Sequence, residues 1–305
     1  MNSHYYNLGG HIVSLTFEGS SDVNNMSLLP AFSTFRCQPP TLPPMLTLTV
    51  DDSTPQARGR KLLRTFDTGN GDIAVYMLPD GGYQFIIRNI EGSDCCLLLA
   101  DRRFSNCRCA LNGDYSMRAF GLNNAMMMAY AFAASYRQTI LIHASTVMLP
   151  HPHGHDMPLA LPFVAASGTG KSTHTSLWLK NIDHAQLLND DNLIIRIVNS
   201  QPHAYGSPWS GKTPCYRRRE ALLGAVTRVE RAKADSMERL STLAAFASLL
   251  PSCSNMKWDE AINQNVCGVI AAVIEAVPQF TVHCVPDDQA ALTAHKAIME
   301  EWKRK

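Results

Sequence analysis

The sequence predicts an α/β chain in which a β-rich first third precedes a mixed-sheet core built around a glycine-rich phosphate loop. Three observations carry that reading. Up to about residue 115, short apolar runs alternate with turn signals. From Met117 onward, strand-like and helix-like segments follow one another. Between a strand-like run at 159–166 and a helical one from Lys171 stands Ser167-Gly168-Thr169-Gly170-Lys171-Ser172-Thr173. The 305 residues suit one large domain or two modest ones, and the change of character divides them into 1–116 and 117–305.

In the first part, Met45–Val50, Ile73–Leu78 and Tyr83–Ile87 read as strands, with turns at Asn70-Gly71 and Asp80-Gly81-Gly82. IAVYMLPDGGYQFII fits a hairpin, and prolines 39, 40, 43 and 44 mark an extended loop between Cys37 and Met45. No constellation here converts into chemistry, so this part is expected to be a scaffold or recognition layer. In the second part, residues 117–137, rich in Ala and Met, read as a buried helix. Strands at 139–149 and 159–166 form an antiparallel hairpin around PHPHGHDMP, and a helix from Lys171 to about Asn181 leads to a short strand at Ala185–Asn189. Further strands are expected at Leu193–Val198, His203–Gly206 and Phe280–Val285. Asp235 and Glu238 have the spacing of a helix cap and its partner, opening a helix to about Leu250; two more helices cover Trp258–Ala276 and Pro286–Trp302.

Composition narrows the function classes. With 46% apolar residues and 27 basic against 26 acidic, the chain is neither disordered nor drawn as a whole to nucleic acid or anionic lipid. The longest apolar run, Ala125–Ala134, is about half of what a bilayer crossing needs. MNSHYYNLGG does not read as a secretion signal, and nine cysteines without a CxxC pair do not read as a disulfide framework. A cytoplasmic protein, bound to neither membrane nor nucleic acid, is expected.

The loop carries the chemistry. Glycines let backbone amides turn toward phosphate oxygens, and the following helix points its positive end at the anion. Lys171 reaches the terminal phosphates and Ser172 offers its hydroxyl to a magnesium ion. The pattern's first glycine falls at Ala165. Asp190 and Asp191 follow 19 and 20 positions after Lys171, near enough to return beside the loop at a strand end. Phosphoryl transfer needs a carboxylate for the metal and, with an alcohol acceptor, another for its proton. His143 lies on the strand antiparallel to the one feeding the loop, on the face of Ser145. Among other candidates, His151, His153 and His155 are metal-binding types on a poorly preorganised loop. Trp209 is a pocket-lining or packing residue, and Cys215 lacks a nearby activating base.

ILIHAS at 140–145, SGTGKST at 167–173 and LLNDD at 187–191 stand in an order that resembles the core shared by HPr kinase/phosphorylase and phosphoenolpyruvate carboxykinase. YGSPWSGK at 205–212 is similar to a stretch of the HPr-kinase-related proteins of bacteria. The resemblance covers about residues 117–305. It implies a mixed-sheet P-loop fold that binds ATP with Mg²⁺ or Mn²⁺ and moves the γ-phosphoryl group to a hydroxyl of a small molecule or a protein serine. By position, it implies phosphate binding by Ser167, Gly168, Thr169, Gly170, Lys171, Ser172, Thr173 and Lys212. It further implies metal binding by Ser172 and Asp191, Asp190 as the base, and His143 beside the reacting group. A homo-oligomer is compatible with it. The alternatives are a carboxykinase-like reaction on a small carboxylic acid and a nucleotide-binding regulatory or maturation protein with little turnover.

Overall fold

The computed structural model describes residues 2–19, 22–166, 168–211 and 213–303. Together they form a mixed α/β fold in two compact units that divide between Tyr136 and Arg137.

The first unit holds one eight-stranded sheet. Its strands are β1 (Asn2–Leu8), β2 (His11–Phe17), β3 (Leu46–Val50), β4 (Lys61–Asp67), β5 (Asp72–Met77), β6 (Tyr83–Arg88), β7 (Asp94–Ala100) and β8 (Asn106–Leu111), in the order β1-β2-β3-β8-β7-β6-β5-β4. The pairings are antiparallel except those of β3 with β2 and β8. β5 and β6 form the expected hairpin, with Val75 opposite Phe85. Helix α1 (Tyr115–Ser135) packs on this sheet, started by Asp114, whose carboxylate accepts from the Met117 amide at 2.9 Å. A methyl group at Gly121 would lie 2.8 Å from the Cys95 carbonyl oxygen, so α1 approaches β7 closely because that position is bare. The helix therefore belongs with residues before it, and the division falls 20 residues beyond the change of character at 117.

The second unit contains β9 (Thr139–Leu149), β10 (Leu159–Val164), α2 (Lys171–Asn181), β11 (Gln186–Val198), β12 (Gln201–Tyr205), β13 (Glu220–Leu223), β14 (Val226–Arg231), β15 (Ser236–Arg239), α3 (Thr242–Leu249), α4 (Glu260–Ala276), β16 (Gln279–Cys284) and α5 (Asp288–Lys303). The sheet runs β13-β12-β11-β9-β10-β14-β16-β15, and β13 also pairs with β10, closing five strands into a ring. β10 meets β13 at Leu159 and Ala160 and β14 at Phe163 and Val164. Pro162, which lacks an amide hydrogen, falls in the gap between these two ladders, and this is why a central strand tolerates it. A core of Phe163, Trp178, Val229, Val282, Ala294 and Ile298, among others, joins β10, α2, β14, β16 and α5.

Two local readings are corrected. Residues 186–198 are one strand rather than two, so Asp190 and Asp191 lie within it and not at a strand end. Ten residues of β11 pair with β9, and this ladder outweighs the turn preference of Asn-Asp-Asp-Asn. Asp235 does not open a helix. Its carboxylate accepts from the Val285 amide, residues 236–239 pair antiparallel with β16, and Ser241 caps α3 instead. The free edge of β16 supplies those four residues with partners that an isolated cap cannot match. Among the described residues, no helix is long and apolar enough to cross a membrane, and all nine cysteines are free thiols.

Candidate functional site

β10 is buried along its whole length and delivers the chain to the loop, and α2 leaves it at Lys171. Gly168 (φ 76°) and Gly170 (φ 123°) hold left-handed backbone there, and open space faces both. Glycine is thus required by conformation rather than by crowding. Ala165 is absent from the left-handed residues and its methyl group packs against the core, so a glycine is not needed at that position. α2 has no side-chain cap at Gly170, which leaves the first amides of the helix to an outside acceptor. Ser167 and Lys212 lie outside the described residues.

Lys171 is 9% exposed and donates from Nζ to the Ala165 carbonyl oxygen at 3.1 Å. Burial lowers its pKa, opposed by the negative charges of Asp191 and Asp190. At the fifth residue of β11, Asp190 is 4% exposed, and its Oδ1 accepts from Ser145 Oγ at 2.6 Å and from Ser172 Oγ at 3.0 Å. Its Oδ2 is buried and has no hydrogen-bond partner among the described residues. Ser172 therefore meets Asp190, whereas the resemblance pairs it with Asp191.

Asp191 lies on the other side of the pair, with Oδ1 3.5 Å from His143 Nε2. Burial raises the Asp191 pKa, while His143 and the Asn192 amide act against the rise. The half-exposed His143 is held low, first by burial and then by the Lys171 ammonium. The stretch 205–211 lies along the acids: the Gly211 amide donates to the Asp190 carbonyl oxygen at 2.5 Å, the Asn192 amide to that of Trp209, and Ser210 bridges Asp191. Trp209 is buried at 3% exposure. Lys171, Ser172, Asp190, Asp191 and His143 belong to this cluster, Gly168, Thr169 and Gly170 belong to the loop backbone before it, and the side chain of Thr173 is exposed on α2.

A divalent cation fits here chemically. An orphaned carboxylate oxygen beside a serine hydroxyl is a hard, oxygen-only donor set. Mg²⁺ is typically held by one or two carboxylates together with substrate phosphates, and not by a cage made wholly of protein. No group of three or more His, Cys, Asp or Glu among the described residues is arranged to hold a metal ion. This includes His151, His153 and His155; the His151 ring meets those of His155 and Trp302 edge-on.

One residue that the sequence did not single out is His174 on α2. It is 2% exposed, its Nε2 accepts from Trp178 Nε1 at 3.0 Å, and Phe163 meets its ring at 4.8 Å. Burial brings its pKa from 6.5 down to about 4. Because the folded value lies below the unfolded one, the unfolded chain takes up the extra proton as pH falls from 6.5 toward 4. The stability that His174 contributes is complete above 6.5 and is lost through that window. Between pH 7 and 4.5 the expected loss is about 2–3 kcal/mol. It is read as the difference in urea midpoint shift between the protein and His174→Phe; equal shifts would contradict it.

No protein-family model matches the chain, and no curated protein shows significant sequence similarity to it.

Proposed function

We propose that the second unit is an ATP-dependent phosphotransferase with a P-loop core of the HPr kinase and phosphoenolpyruvate carboxykinase type, acting on a hydroxyl acceptor. The observation that carries this reading is the hydrogen bond from Ser172 to Asp190, which joins the loop to a buried carboxylate. Three parts that phosphoryl transfer requires then stand together: an amide cradle, a lysine and an acid. The backbone from Gly168 to Lys171 cradles the phosphates, and Lys171 moves from the Ala165 carbonyl to neutralise them.

Ser172 and Asp190 would hold the divalent cation, with Oδ2 as the free oxygen. When bound, that cation spreads the negative charge that builds between the transferred and leaving phosphates. Asp191, beside His143 and at the more open side, takes the acceptor's proton, and its raised pKa strengthens it as a base. His143, kept neutral by its surroundings, orients the reacting group. The two acids thus take roles opposite to those that the resemblance implies.

The test is uptake and turnover by the full chain. Calorimetry is expected to detect Mg-ATP binding that depends on the cation. ATP turnover is expected to rise when a hydroxyl-bearing acceptor is added, as followed by nucleoside diphosphate release across a panel of polyols and serine peptides. Absence of nucleotide uptake sinks the reading. Uptake without turnover against any acceptor would favour a nucleotide-binding regulator.

A further inference from the structure

A cavity opens where the loop ends. It has a volume of about 200 Å³, with Thr173, His174 and Leu177 of α2 on one wall and Val229, Cys284 and Pro286 on the other. Thr169 and Gly170 belong to both the loop and the rim of this cavity. Pockets that enclose drug-sized ligands span about 300–1,000 Å³, so this one suits a single planar ring system rather than a whole nucleotide. Arg231 ties the rim to the loop: its Nε donates to the Thr169 carbonyl oxygen and its Nη2 to that of Gly168, both at 3.0 Å. Anything seated in the cavity is therefore fixed relative to the phosphate cradle.

His174 gives the cavity a chemical preference. Its Nε2 accepts the Trp178 indole hydrogen, so the proton of the neutral ring sits on Nδ1. That Nδ1 is buried and has no hydrogen-bond partner among the described residues. A buried donor without an acceptor is unfavourable, and native structures rarely keep one without a reason.

We propose that this cavity receives the base of the nucleotide whose phosphates the loop holds, and that His174 Nδ1–H donates to a ring nitrogen or carbonyl oxygen on the base's edge. The inference rests on the phosphate-site reading above. Leu177 and Val229 supply apolar contact for the ring faces, and Arg231 sits at the mouth, where the sugar enters.

The test separates base from phosphates. Calorimetry of the full chain compares Mg-ATP with Mg-tripolyphosphate, which carries the charges without the base. ATP is expected to bind about tenfold more tightly or better. His174→Phe is expected to bring ATP down to the tripolyphosphate level and to leave tripolyphosphate affinity unchanged. Because Phe also strips Trp178 of its acceptor, Leu177→Trp provides a second variant, which fills the cavity from its partly exposed wall with the same expected result. Equal affinities in the unaltered protein, or an ATP preference that survives both variants, would overturn the base site while leaving the phosphate site standing. Binding of neither ligand would overturn the phosphate-site reading and this inference with it.

Discussion

Lys171→Met is expected to lower ATP turnover by about 10²–10³-fold, the scale seen when one preorganised charge or donor is removed from a developing anion. Methionine keeps an unbranched apolar stem in the space that the buried lysine occupies. The hydrogen bond from Nζ to the Ala165 carbonyl is local to the loop. The fold is thus expected to survive, with circular dichroism and urea midpoint close to those of the unaltered chain. Loss of turnover with an unchanged midpoint supports the role; unchanged turnover removes Lys171 from the chemistry. The KM for ATP is expected to rise less than kcat falls, because the lysine's charge matters most as negative charge shifts to the leaving phosphates.

The second large effect separates the two acids. Asp190→Asn is expected to cut turnover by about 10²–10³-fold at fixed Mg²⁺ and to raise the Mg²⁺ concentration needed for half activation. Asparagine keeps an oxygen for the Ser145 and Ser172 hydroxyls but not the charge. Asp191→Asn is expected to lower kcat with little change in the Mg²⁺ requirement. Its pH profile differs as well. A base must be ionised, and burial raises the Asp191 pKa, so activity falls on the acid side at a pH above the ordinary aspartate range of about 4. That limb is expected to vanish in Asp191→Asn. A shifted Mg²⁺ requirement in Asp191→Asn and not in Asp190→Asn would restore the order of roles that the resemblance implies.

Much of the fold was legible where the signal is local. The hairpin of residues 73–87, the pair β9–β10, the loop with its following helix, and the helices from Glu260 and Asp288 all follow from turn residues, caps and apolar periodicity. The misreadings share a cause. Asp235 with Glu238 and the run Asn189–Asn192 carry local preferences for a cap and a turn, yet each segment lies on a strand because a neighbouring strand offers its backbone a ladder. The allegiance of α1 was hidden for another reason: the helix is apolar nearly all round, so periodicity gives it no direction, and its partner is set by the bare backbone at Gly121.

The candidate site divides in the same way. Its candidates were read from the sequence alone, because a glycine loop between strand and helix, a lysine, a serine and two acids at short range are short-range facts. Which acid meets Ser172 did not, since adjacent residues of a strand project to different sides and one step of register exchanges them. The orphaned hydrogen of His174 was equally invisible, because it exists only once Trp178 and Phe163 close around the ring. Residue types and their spacing along the chain determined which side chains are candidates to meet; burial and strand register, which arise only when distant segments pack, decided which atom faces which.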